Sequence, residues 1–167
     1  MQLGMFIDLA QGYSEANEIL AGRVPMAADT VTLAKPGHKA IRIAADGSAF
    51  IEGFRCDACG AAFPEATMAC RACASRAVPH PFRAAETGKL FTWSVVSRSY
   101  PGIAVPFVSA IVDLDDGLSL KGTLRDVAPD QVKAGMPVRL VMDNAGGATD
   151  KDGAPYVGFH FTPMGDA

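Results

Sequence analysis

The sequence predicts a mainly β protein with an N-terminal helical arm, a small four-cysteine ribbon and a C-terminal five-stranded barrel. Three observations carry this. Every cysteine lies between Cys56 and Cys73, as two CxxC pairs. From Lys89 onward, five short runs rich in Val, Phe, Leu and Thr are punctuated by Gly, Asp and Pro, as strands are by turns. Near the start, apolar residues recur at helical rather than strand spacing. These patterns divide the chain into residues 1–47 (arm and start of a hairpin), 48–83 (ribbon) and 84–167 (barrel).

Each element has its own signal. Phe6, Leu9, Tyr13, Ala16 and Leu20 recur at steps of three and four, and Gly22 is placed to close the helix. Such a stripe either packs on its own domain or serves as a docking arm; amphipathicity alone does not say which surface it covers. IRIAADGSAFIEGF reads as a hairpin turning at Asp46-Gly47. Its second strand leads straight into Cys56.

Cys56 and Cys59 form one pair, Cys70 and Cys73 the other, with ten residues between the pairs. Two CxxC turns facing each other make a closed tetrahedral thiolate cage, so the ligand set reads as structural zinc. Rubredoxin-like iron and redox-active or free pairs are the alternatives. Gly60 follows the first pair, where the turn needs positive φ, but Ala74 follows the second. A closed cage leaves no site for water or substrate and no spare cysteine to act as a nucleophile. The next segment, ASRAVPHPFRAAETG, is broken by prolines and reads as a linker.

The strands are KLFTWSVVS, FVSAIVDL, LSLKGTL, PVRLVMD and YVGFHFT, with a tight turn at Asp116-Gly117 between the second and third. VAPDQVKAGM has room for at most a short helical turn. Five short strands with a connection after the third point to a closed sheet of OB type; a β-sandwich fragment is the competing arrangement. In such barrels the loops after strands one and four flank the ligand face. Here these are residues 98–107 and 144–155. Arg98 offers a partner for phosphate, and Tyr100 and Phe107 offer flat apolar surface. Alternatively, Phe107 belongs to the core and Tyr100 is an isolated surface aromatic that needs no explanation.

Composition limits the function. The chain has 167 residues, 49% of them apolar, enough for a real core. No apolar run approaches the roughly 20 residues of a membrane span. MQLGMFIDLAQGYSE lacks the basic start and apolar block of a secretory signal, so the reading is a soluble, cytoplasmic protein. Residues 53–98 carry six basic and three acidic side chains, whereas residues 113–152 carry eight Asp against five Lys or Arg. Nucleic-acid binding, common among ribbons and OB barrels, needs a basic groove to release counterions, so this alternative is opposed by the acidic barrel. The three histidines, His38, His80 and His160, have no evident partners in the sequence. There is no GxSxG, Walker A or GxGxxG motif, and no catalytic residue is assigned.

The order of parts resembles a known family. An apolar strand enters CxxCG, a second CxxC follows, and then come GKLFTWSVV, PFVSAIVDLDDGLSLKGTL and AGMPVRL. Over about residues 48–163 this is similar to the zinc-ribbon/OB-fold accessory proteins that associate with thiolases and related acyl-CoA enzymes. Ala74 departs from the pattern, and the first 47 residues lie outside the match. The resemblance implies a non-catalytic subunit beside a thiolase-fold enzyme, or a hydratase or aldolase, with some members helping to form the CoA-binding surface. One branch with this longer form serves a thiolase that cleaves an aromatic β-oxoacyl-CoA, such as benzoylsuccinyl-CoA.

Overall fold

A computed structural model describes residues 34–165. The helical arm expected over Phe6–Leu20 lies outside them. No helix among the described residues is long and apolar enough to cross a membrane.

Ten strands follow one another in the described chain. They are β1 (Lys35–Pro36), β2 (Ile41–Ile43), β3 (Ala49–Arg55), β4 (Ala62–Phe63), β5 (His80–Arg83), β6 (Thr87–Val96), β7 (Phe107–Leu114), β8 (Ser119–Leu124), β9 (Pro137–Asp143) and β10 (Tyr156–Pro163). The last five close into a barrel. β6 pairs antiparallel with β7, and β7 with β8. β8 meets β10 in parallel at Leu124 and Phe161, while β9 pairs antiparallel with both β10 and β6. This ring is the OB topology. The short helical turn expected between β8 and β9 is a 3₁₀ turn at Pro129–Gln131.

Alternation builds the barrel interior. Val108, Ala110, Val112 and Leu114 of β7 are buried, as are Leu120 and Leu124 of β8, as the two-residue period of a pleated strand requires. Phe161 of β10 is fully buried among them.

The ribbon and barrel share one core. Ala40, Ile41 and Ile51 from the hairpin pack in the same buried cluster as Leu90, Leu118 and Val138. β3 is central to the ribbon sheet. It pairs with β2 over residues 49–51, and at Phe54 and Arg55 it pairs with both β4 and β5. β5 corrects the expectation of a proline-broken linker. Pro81 sits opposite Phe54, and a strand containing proline is tolerated because β5 is an edge strand with no further partner among the described residues.

Contact between β3 and the barrel is close at Gly53. A Cβ there would stand 2.7 Å from the Phe82 ring and 3.1 Å from a Leu118 methyl. We predict that Gly53→Val lowers unfolding stability by about 2 kcal/mol through overpacking, as read by urea denaturation. Gly53→Ala costs less, because the half-buried Phe82 ring can give way. Equal, near-zero effects of both variants would show that this contact is loose.

Candidate metal centre and barrel cleft

The two cysteine turns are built alike. In the first, Cys56 N–H donates to the Ala61 carbonyl and Gly60 N–H to the Cys56 carbonyl, at 2.9 and 2.8 Å. In the second, Cys70 N–H donates to the Ser75 carbonyl and Ala74 N–H to the Cys70 carbonyl, at 2.7 and 2.8 Å. Each turn ends in a left-handed residue: Gly60 at φ 76° and Ala74 at φ 59°. The alanine therefore adopts the glycine geometry rather than altering the turn, at a steric cost that Gly60 avoids.

These turns bring the four sulfurs within 4.8 Å of one another. Cys56 and Cys73 are 3.8 Å apart, Cys59 and Cys70 3.6 Å. A tetrahedral site with metal–sulfur bonds of about 2.3 Å has edges of about 3.8 Å. The donor set thus fits a four-coordinate ion, and these residues could hold one. Cys56 and Cys70 are buried, whereas Cys59 and Cys73 face outward.

The sulfur environments differ. The N–H of Cys73 draws the Cys70 thiol down to about 6 against the opposing effect of burial, helped by the N–H of Ala72. At Cys59 the Ala61 N–H acts in the same sense, but the surrounding sulfurs and burial outweigh it and push the thiol up to about 12. Cysteine ligates a cation as thiolate, so binding one here would release protons from the cluster.

On the barrel, the loops after β6 and β9 do flank a cleft, of about 700 Å³. Ile103, Pro106 and Phe107 line one side, Leu124, Arg125 and Val127 the floor, and Ala145 and Gly146 the other side. Of the three candidates for cofactor contact, the structure brings only Phe107 into this cleft. Arg98 and Tyr100 stand on the same loop but do not line it; Tyr100 is 82% exposed.

Sequence reasoning missed a charged cluster beside the cleft. Asp143 Oδ2 accepts from His160 Nδ1 at 2.7 Å and from Arg125 at 3.0 Å, while Oδ1 accepts from the Ala145 N–H at 2.8 Å. These groups come from β9, β10, the residue just after β8 and the loop after β9, so one carboxylate ties the cleft wall to the barrel. Burial alone would raise the Asp143 carboxyl, but His160, the Ala145 N–H and Arg125 together hold it below its ordinary value of 3.8. His80, also without an evident partner in sequence, meets Asp57 of the first cysteine turn at 2.5 Å. His38 packs edge-on against Phe159, with ring centroids 5.5 Å apart.

A closed OB barrel joined to a four-thiol ribbon defines a two-part module, whose four cysteines could hold an ion without leaving a coordination position open. The family described as "ChsH2, C-terminal OB-fold domain" matches residues 83–143. A DUF35 domain-containing scaffold protein of Pyrococcus furiosus is 31% identical over 114 residues, which are 67% of this chain and 82% of the relative. The chain belongs to the DUF35 family. A short stretch of 39 residues is 51% identical to the 3-oxo-4,17-pregnadiene-20-carboxyl-CoA hydratase alpha subunit of Mycobacterium tuberculosis, covering 23% of this chain and 12% of that one. The fold is similar to a solved chain described as "Ltp2-ChsH2(DUF35) aldolase", with a TM-score of 0.54 and 29% identity over 68% of this chain and 84% of that chain.

Two predictions follow from this geometry. Ala74→Gly should raise ribbon stability by about 1 kcal/mol, and Gly60→Ala should lower it by a similar amount. Urea unfolding of both variants checks this; an Ala74→Gly protein no more stable than wild type would contradict the left-handed geometry. The second concerns Asp143. A depressed carboxyl stabilises the fold above its unfolded pKa, and that stabilisation is lost as pH falls through the folded value. Asp143→Asn should therefore cost about 1 kcal/mol at neutral pH after solvent screening, with the difference from wild type vanishing below the ordinary carboxylate range. Melting curves across acid pH provide the measurement.

Proposed function

We propose that this chain is a non-catalytic accessory subunit of a thiolase-type acyl-CoA enzyme complex, stabilising the catalytic subunit and helping to shape its CoA or acyl-CoA site. The observation that carries this reading is the commitment of all four cysteines to one closed site. Thiolysis needs a cysteine nucleophile, and this chain has none to spare. The likeness to a DUF35 component of an aldolase structure and to a hydratase alpha subunit supports an acyl-CoA setting. A thiolase-fold partner is the more specific part of the proposal.

Within it, Cys56, Cys59, Cys70 and Cys73 hold a structural zinc, whose role when bound is to fix the ribbon. The sulfur spacing and closed ligand set support zinc. The cleft between the two barrel loops receives the acyl or pantetheine portion, with Phe107 as its apolar wall. Arg98 and Tyr100 stand on the same loop, where they meet the CoA phosphates and adenine respectively. A reducing cytoplasm suits the thiolate site. The stripe of Phe6, Leu9, Tyr13 and Leu20 forms part of the contact with the partner, which as an obligate interface would bury well over about 1,000 Å².

The purified chain should contain one zinc per molecule by elemental analysis and show no thiolase activity. Cys56→Ser or Cys70→Ser should lose both the metal and the ribbon's local order. Co-expressed with its catalytic partner, the chain should form a stable hetero-oligomer whose activity falls when residues 1–22 are removed. Acyl-CoA turnover by the isolated chain would overturn the reading, as would a partner thiolase that is fully soluble and active without it.

A further inference from the structure

We infer that the barrel holds a carboxylate: the hollow beside the cleft takes the acid group of a small molecule whose apolar body lies in the cleft. The hollow measures about 330 Å³, and its lining includes His38, Lys121, Thr123, Arg125, Asp143 and Phe159. Thr123, Arg125 and Ala145 line the cleft as well, so the two spaces adjoin. Among the described residues, Arg125 is the one charged side chain of the cleft and Thr123 the one other polar side chain. A ligand filling the cleft therefore finds its polar contacts on the side of the hollow. An apolar site with a few placed polar groups is the usual form of a small-molecule site.

The strand period places the donors. Leu120 and Leu124 of β8 are buried, so Lys121 and Thr123 stand on its outer face. Lys121 has no ion pair among the described residues. Arg125 follows directly and gives one nitrogen to Asp143 at 3.0 Å, which leaves further N–H groups of its guanidinium to donate. His38 comes from the loop between β1 and β2. The Ala40 N–H donates to its Nδ1 at 3.2 Å, so the neutral ring carries its proton on Nε2, as a donor. Burial first, and then Lys39, hold this imidazole below its ordinary value of 6.5, so it is uncharged at neutral pH.

The one carboxylate in the lining is already engaged. Asp143 Oδ2 accepts from His160 and Arg125, and Oδ1 from the Ala145 N–H. An ammonium, a guanidinium, an imidazole N–H and a hydroxyl thus face the hollow, a set that suits a ligand group offering acceptors alone. Charge decides which acceptor. Lys121 and Arg125 stand against Asp143, with His38 neutral, so the lining carries one net positive charge. A carboxylate balances it, whereas a phosphate dianion would leave one negative charge uncompensated. The identity of the apolar body rests on the reading of the cleft as an acyl site, under which the acyl group carries a free carboxylate. The preference of the hollow for a carboxylate is a property of the barrel alone.

The test titrates the full chain at neutral pH with three probes of similar shape: phenylpropionate, its neutral amide phenylpropanamide, and phenethyl phosphate. At millimolar concentration phenylpropionate should shift the backbone resonances of Lys121, Thr123 and Arg125. It should bind about tenfold tighter than the amide, and tighter than the phosphate. Lys121→Met, at an exposed position, should leave the melting temperature unchanged and bring the acid down to the affinity of the amide. Equal binding of acid and amide by the wild-type chain would overturn the proposal, as would tighter binding of the phosphate or the absence of shifts with every probe. Undiminished acid binding in Lys121→Met would overturn it too. No catalytic partner takes part in this measurement, so a negative result counts against the hollow and not against the accessory-subunit reading.

Discussion

The placement of β3 against the barrel is the constraint on which the remaining architecture depends. This strand carries the first cysteine turn at one end and contributes Ile51 to the shared core. Asp116, in the turn between β7 and β8, fixes the junction from the other side. Its carboxylate accepts from the N–H groups of Ala85 and Leu118, at 2.5 and 3.0 Å, while its carbonyl accepts from Arg55 at 2.8 Å. Arg55 also lies over the Phe82 ring, 4.5 Å from its centre. One turn residue therefore anchors the base of the cysteine turn, the end of β5 and the start of β8. Such mutually oriented, charge-assisted bonds hold better than isolated surface pairs.

This joint lets the two halves specialise. The ribbon contributes a rigid cage whose geometry is determined by two short turns and their internal hydrogen bonds. The barrel contributes an open cleft whose walls are loops and whose floor is strand. The Asp143 carboxylate, bonded to β10, to the residue after β8 and to the loop after β9, keeps one wall in register with the floor. Precision at the cleft thus comes from the sheet, and adaptability from the loops, as is usual where function sits on a stable scaffold.

Much of this was legible in the sequence because the signals are local. The CxxC pairs announce their ligands, and the barrel strands stand out as runs rich in Val, Phe, Leu and Thr between Gly, Asp and Pro. What was not legible depends on long-range pairing. Asp143 on β9, His160 on β10 and Arg125 just past β8 are scattered along the chain, and only barrel closure brings them together. β5 was hidden because proline is a strand breaker except at an edge, and edge position is a property of the whole sheet. Ala74 looked like a departure from the turn pattern, yet the hydrogen bonds of its knuckle impose the left-handed geometry regardless of side chain. Phe107 could be read as core or as ligand surface; its position at the mouth of the cleft makes it a half-buried wall. Arg98 and Tyr100 were attractive by chemistry, but a loop sequence does not say which of its residues turn inward.

Closure of the barrel by its final strand also orders events during synthesis. The cysteine turns and their surrounding sheet involve residues up to Arg83, so they leave the ribosome before any barrel strand. The β6–β7–β8 meander follows and can cover Ile51 with Leu118 while the barrel is still an open, curled sheet. Leu124 must then wait for Phe161, a non-local pairing of the kind that slows folding. Until it forms, the β8 edge and the apolar inner faces of three strands stand uncovered in the nascent chain. That interval exposes the protein to misassociation, and a ribbon already seated on the meander shortens the list of wrong surfaces it can find.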